Sequence, residues 1–292
     1  MDAVSDDGLS ALTLIAFVGS VFSPYYARAR RHGQAMPEDF CALNVALYGG
    51  RSARWAMTER GCTRVARSAS EFQVGPSRVR WQNDCLTVDV DEWSVPLPRR
   101  VRGQVRVHPI GITRFHERLD PAGLHRWGPI APSARVEVAF EAPSLSWSGH
   151  GYLDSNEGDE AVDVPFEAWD WSRTARADGT TDVVYDVRQR DGAERLLAVR
   201  FRPDGAWEPF EAPPRQPLPA TFWRVPRAPR VDPRAGARVV RTLEDTPFYT
   251  RSLLSSVQGG APVASVHESL SIPRLTSPVV QFMLPFRMPR RR

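Results

Sequence analysis

Apolar and polar residues alternate with period two along most of the chain. Valines stand at 101, 105 and 107, and Val136, Val138 and Phe140 alternate with charged or small residues. That period belongs to strands with one face in a core. Two pairs of such runs are joined by turn-rich connections. Arg78–Trp81 and Leu86–Val90 flank Gln82-Asn83-Asp84-Cys85, and 182–187 and 196–201 flank Asp191-Gly192. Both read as β-hairpins. Helical periodicity is scarce, with short helices expected only at Pro37–Phe40 and Pro121–Leu124. Many short strands at hairpin spacing predict an all-β barrel or sandwich. The acidic stretch Asn156–Asp163 reads as a flexible break, with strand patterns on both sides. Two tandem β domains follow, 1–165 and 166–292, and 213–233, rich in proline and arginine, reads as an extended crossing loop.

One stretch departs from a plain core strand. After Ser144-Leu145-Ser146-Trp147-Ser148 the chain reads GHGYLDSNEG, 149–158. Continued alternation puts Leu145, Trp147, Gly149, Gly151 and Leu153 on one side and His150, Tyr152 and Asp154 on the other. An imidazole, a phenol and a carboxylate in a row face either solvent or a cavity where they do chemistry. Asn156 and Gly158 are turn residues, so Asp154 can equally open a loop. In extended conformation His125 and Trp127 share a face, as pocket groups or as core packing. Thr58-Glu59-Arg60 reads as a solvated strand end in preference to a buried ion pair.

Composition narrows the function classes. Of 292 residues, 42% are hydrophobic and 25% charged, as in ordinary soluble proteins. The 38 basic residues are all arginine, the net charge is +4, and no concentrated basic stripe or nucleic-acid motif stands out. Nucleic-acid binding is therefore not expected. The three cysteines and His32, His108, His116 and His267 lack metal-ligand spacing, so no metal is assigned. The N-terminus is acidic where a signal peptide is basic. The apolar run Leu9–Phe22 is broken by Ser10, Gly19 and Ser20, short of the roughly 20 residues a bilayer span needs. A cytoplasmic chain with reduced thiols is expected.

Five segments carry a family resemblance: FVGSVFSPYYARAR (17–30), CALNVALYGG (41–50), RWAMTERG (54–61), GYLDSNEGDE (151–160) with WDWSR (169–173), and SPVVQFMLPFRMPR (277–290). In that order the chain resembles the carotenoid 1,2-hydratase family, also called hydroxyneurosporene synthase, of photosynthetic bacteria. The wider superfamily resembles AttH-like proteins, which implies two lipocalin-like antiparallel β-barrels. The implied activity is addition of water to the terminal double bond of acyclic carotenoids such as neurosporene and lycopene, without a cofactor. The implied partners are the carotenoid and water, at the surface of the inner photosynthetic membrane. Tyr152 and Asp154 match the family's Tyr-x-Asp motif, whose aspartate is implied in proton transfer. His125 and Trp127 match its His-x-Trp pair, the histidine as partner or shuttle to Asp154, the tryptophan as a wall for a cation.

The chemistry makes the same demands. Hydrating a trisubstituted alkene takes a proton to the less substituted carbon, a tertiary carbocation, and one captured water. A carboxylic acid kept neutral by an apolar site can donate that proton, and its carboxylate can deprotonate the adding water. Aromatic faces stabilise a nearby cation by roughly 0.5–2 kcal/mol each. The tail Val279–Arg290, apolar with arginines at its end, is either a membrane-docking element or a last barrel strand. Two other readings share the same cavity: a lipocalin-like carotenoid carrier without an acid, and a related barrel enzyme acting on another polyene.

Overall fold

The computed structural model describes residues 1–33, 35–258 and 260–291, so Arg292 of the terminal arginine run lies outside it. The chain is all-β. Its first thirteen strands are β1 (Asp2–Ser5), β2 (Ala11–Phe17), β3 (Ala42–Tyr48), β4 (Arg54–Met57), β5 (Glu59–Arg60), β6 (Val65–Arg67), β7 (Glu71–Val74), β8 (Ser77–Gln82), β9 (Cys85–Trp93), β10 (Arg100–Pro109), β11 (Glu117–Arg118), β12 (His125–Ala142) and β13 (Leu145–Gly158). Then come β14 (Phe166–Ala175), β15 (Thr181–Gln189), β16 (Glu194–Phe201), β17 (Trp207–Pro209), β18 (Ala237–Asp245), β19 (Tyr249–Gln258), β20 (Ala261–Ser271) and β21 (Arg290–Arg291). Helices are short: α1 (Pro24–Arg31), α2 (Ile272–Leu275) and α3 (Pro278–Arg287). Among the described residues no helix is long and apolar enough to cross a membrane.

Two compact units divide the chain, and each gathers separate segments. The first holds Met1–Ile110, Ala134–Leu153 and Gln281–Arg292, the second Gly111–Ser133 and Asp154–Val280. The large sheet is antiparallel and curls as a half-barrel, in the order β4-β3-β2-β1-β13-β12-β10-β9-β8-β7-β6. Its core is what the alternation predicts: Leu12, Leu14, Leu43, Val45, Leu47, Val88, Val90, Val105, Val107, Val136 and Val138 are all buried. Gln82 pairs with Cys85, and Asn83 and Asp84 take positive φ, the geometry of a two-residue hairpin turn. The glycines of Gly149-His150-Gly151 have a steric reason. A Cβ at Gly149 would collide with the Val4 carbonyl, and one at Gly151 with the Val136 side chain. Only glycine lets β1 lie this close along β13.

The second sheet runs β17-β16-β15-β14-β20-β19-β18. Its register gives it two different faces. Trp171 pairs with Tyr185 and Glu268, placing Trp169, Trp171, Tyr185, Glu268 and Leu270 on one side. Asp170, Ser172, Asp182, Asp186, His267 and Ser269 lie on the other. Over that polar face runs the expected extended segment. Asp186 accepts from Arg215 at 2.6 Å and Arg230 at 2.7 Å, Arg227 donates to Ser252 at 2.8 Å, and the Ala228 N–H donates to Asp170.

Four readings need correction. Pro121–Leu124 is a turn, because the Asp120 carboxylate accepts the Leu124 and His125 N–H groups and holds the backbone out of a helix. Asn156–Gly158 does not turn away: β13 continues to Gly158, and the acidic stretch after it is pinned by an Asp159 N–H to Leu124 C=O bond. Glu59 and Arg60 are buried, not solvated: Glu59 meets Arg290 at 2.6 Å and Arg60 meets Glu92 at 2.8 Å. The tail forms α3 where a last barrel strand was one reading.

The extended segment depends on Asp186. Replacing it by Asn removes the charge facing Arg215 and Arg230, and should cost about 2–3 kcal/mol by denaturant melts. Trypsin should then cut faster at Arg215, Arg224, Arg227 and Arg230. An unchanged cleavage rate would show that the segment is held by other contacts.

Candidate active site

The aromatic face of the second sheet carries a cluster within one unit. Arg195 of β16 donates to Glu117 of β11 at 2.8 Å, and Glu117 lies opposite Trp127 in the β11–β12 pairing. This fastens the start of β12 over the sheet. Trp127 is 1% exposed, and its indole meets the Tyr185 ring edge-to-face at 5.4 Å and the Phe115 ring at 5.9 Å. Trp169 reaches Tyr185 at 6.4 Å and Phe166 at 6.1 Å. Edge-to-face contacts at these separations are the favoured packing of such rings.

Asp154 enters this cluster. The Trp127 Nε1–H donates to its Oδ2 at 3.1 Å, and the Asp154 side is half-buried. Burial pushes the Tyr185 phenol far above its usual range, and the nearby Asp154 and Glu268 carboxylates push it further. Tyr185 therefore stays a neutral hydroxyl at any physiological pH. Glu268 is tied to Tyr249, whose hydroxyl donates to it at 2.8 Å, and to Arg251.

His125 sits two residues before Trp127 but in a different nest. It is 4% exposed, with Nδ1 3.4 Å from Asp120 Oδ1 and 4.0 Å from Glu160 Oε1, and its ring packs on Phe166 at 4.8 Å. Gly158 allows this: a Cβ there would stand 3.0 Å from the imidazole Cδ2. Burial works against the Asp120 anion. The His125 and Leu124 N–H groups and the imidazole outweigh it, holding that carboxyl below the usual range. Asp120, His125 and Glu160 bring one ligand atom each within 4.8 Å of one another. Both Asp120 oxygens already accept backbone N–H groups, so the trio reads as a carboxylate-supported histidine more than an open coordination site.

Of the four residues singled out in the sequence, the structure joins Trp127 to Asp154 by a hydrogen bond and places His125 against Asp120. Tyr152 is buried at 1% exposure in the first unit, while His150, on its nominal side of β13, is exposed. Sequence reasoning missed Tyr185, Phe115, Phe166 and Asp120. Trp169 lay in a quoted segment without a role, and Asp120 was hidden by reading its turn as a helix start.

Comparison with known proteins is consistent across the chain. The family model described as Carotenoid hydratase CrtC matches residues 14–292. The acyclic carotenoid 1,2-hydratase of Rubrivivax gelatinosus is 56% identical over 293 residues, covering 100% of this chain and 72% of that protein. The protein of the same description from Thiocapsa roseopersicina is 53% identical, covering 99% and 72%. The one from Cereibacter sphaeroides is 38% identical over 95% of this chain and 98% of its own length. No solved structure matches.

The support beneath His125 has a pH signature. The Asp120 carboxyl is easier to ionise folded than unfolded, so it stabilises the fold above the ordinary carboxylate pKa of about 4 and that contribution disappears as pH falls through the folded value. Asp120→Asn should therefore lose about 1–3 kcal/mol at pH 7, with the gap to wild type narrowing near pH 3 in urea melts. A gap independent of pH would mean that the charge contributes nothing.

Proposed function

The chain belongs to the carotenoid hydratase family, and from that membership we propose that Asp154 is the acid that protonates the terminal double bond of an acyclic carotenoid such as neurosporene or lycopene. The observation that carries this reading is the Trp127 indole N–H bonded to Asp154 among the rings of Tyr185, Phe115 and Trp169. Asp154 must hold its proton when the alkene arrives. The proton goes to the less substituted carbon, the π pair forms the new C–H bond, and the positive charge is left on the tertiary carbon. Trp127, Tyr185 and Trp169 offer π faces or edges around that point, and each face turned to the cation contributes roughly 0.5–2 kcal/mol.

Water then adds through its oxygen to the tertiary carbon, and the oxonium proton returns to the Asp154 carboxylate. The net change is one water across one double bond, a hydro-lyase reaction in reverse. Acid and base are the same group, so the enzyme is regenerated without a cofactor. The Trp127 N–H stabilises the carboxylate that exists between the two proton transfers. Tyr185, held neutral, can hydrogen-bond the adding water. His125, backed by Asp120, and Tyr152, two residues before Asp154 on β13, are the further positions we assign to the reaction. His125 orders the segment that carries Trp127 and relays protons, and Tyr152 acts as a hydroxyl partner. Because the substrate dissolves in lipid, the enzyme works as a peripheral protein of the inner, photosynthetic membrane.

Asp154→Asn should reduce hydration of lycopene in detergent by about 10²–10⁴-fold, the usual worth of a general acid. Its melting temperature should stay within a few degrees of wild type. Trp127→Phe keeps a ring but loses the donor, and should cost on the order of tenfold. Product mass in labelled water is the readout, each turnover adding one labelled oxygen. Substantial activity in Asp154→Asn would remove it as the acid, and a wild type that binds lycopene without changing its mass would be a carrier.

A further inference from the structure

Helix α3 is apolar on both sides. Val280, Leu284 and Met288 form a buried stripe at intervals of four. Val279, Phe282, Met283 and Phe286, at i, i+3, i+4 and i+7, form a second stripe that faces outward. Val279 is 69% exposed, Phe282 73% and Phe286 70%, and the two phenylalanine rings stack edge-to-face at 5.8 Å. Single exposed apolar residues need no explanation, but a continuous apolar helical face does. A helix apolar all round belongs inside a protein or in contact with lipid.

Charge selects the occupant. From Ser269 to the C-terminus the sequence contains no Asp or Glu, and it carries arginines at 274, 287, 290, 291 and 292. The helix end is anchored, not loose: Arg290 bonds the buried Glu59 at 2.6 Å and lies over the Phe40 ring at 4.4 Å, and Arg287 lies over the Trp55 ring at 4.4 Å. Arg287 and Arg291 are exposed residues. An apolar helix face in a segment that carries arginines and no acid of its own complements an anionic lipid surface, with the rings below the headgroups and the exposed arginines among phosphates. A protein partner would have to bury the same stripe while supplying acids for its rim.

We propose that the Val279–Phe282–Met283–Phe286 face of α3 docks the protein on anionic bilayers. This rests on the peripheral-membrane reading above and deepens it by naming the surface. The test is co-sedimentation of the full chain with phosphatidylglycerol and phosphatidylcholine vesicles, without carotenoid. Wild type should prefer phosphatidylglycerol and lose binding at high salt. The double variant Phe282→Ser/Phe286→Ser should partition roughly tenfold or more weaker, while keeping wild-type activity on lycopene in detergent. Val279→Ser/Met283→Ser supplies a second probe if the first variant fails to fold. Equal binding by wild type and both variants would overturn the assignment to α3 and leave membrane docking standing elsewhere. Absence of wild-type binding to either vesicle would overturn both. A lipid-free wild-type dimer that both variants convert to monomer would assign the face to a second copy of the chain instead.

Discussion

A carboxylate taken out of water needs donors, and this requirement organises the fold. Glu59 meets Arg290, Glu92 meets Arg60 and Ser77, Asp182 meets Arg200 and Arg176, and Asp186 meets Arg215 and Arg230. Removing one partner of such a pair strands a buried charge, so each pair pins distant segments together. Arg290 thereby fastens the C-terminus to β5, and Arg215 and Arg230 fasten the extended 213–233 segment to β15. Where burial is deep but no arginine serves, backbone N–H groups take over, as at Asp120 and, with Ser269 and His267, at Asp170.

Asp154 is bonded across strands as well. The Trp127 indole N–H of β12 donates to its carboxylate. The second sheet divides by face: one holds carboxylates locked by arginines under an extended cover, the other holds the rings of Trp169, Trp171 and Tyr185 beside Glu268, which Arg251 holds. Register alone produces this, since residues 169, 171 and 185 fall on one side and 170, 172 and 186 on the other.

Much of the architecture was legible from alternation because a period of two is set by local backbone geometry. The hairpins at Asn83-Asp84 and Asp191-Gly192 formed where the turn chemistry placed them. The candidate site was legible only in part. His-x-Trp and Tyr-x-Asp marked four residues, but their partners Asp120, Tyr185, Phe115 and Phe166 lie up to 58 positions from the residue they touch or in runs that read as ordinary strand or turn. Nothing local distinguishes a tyrosine that stacks on Trp127 from one that fills a core.

By itself, then, the sequence determined the all-β class, the hairpin turns, the glycine positions in GHGYLD and the family, because these depend on local conformation or on long matched segments. Tertiary structure decided that Glu59 and Arg60 are buried, that Asp120 makes a turn, and that the tail becomes a helix with an outward apolar face. It also decided that the Asp154 carboxylate meets the Trp127 indole. Each of these outcomes turns on which distant segment supplies a donor or covers a surface, and no local pattern encodes that choice.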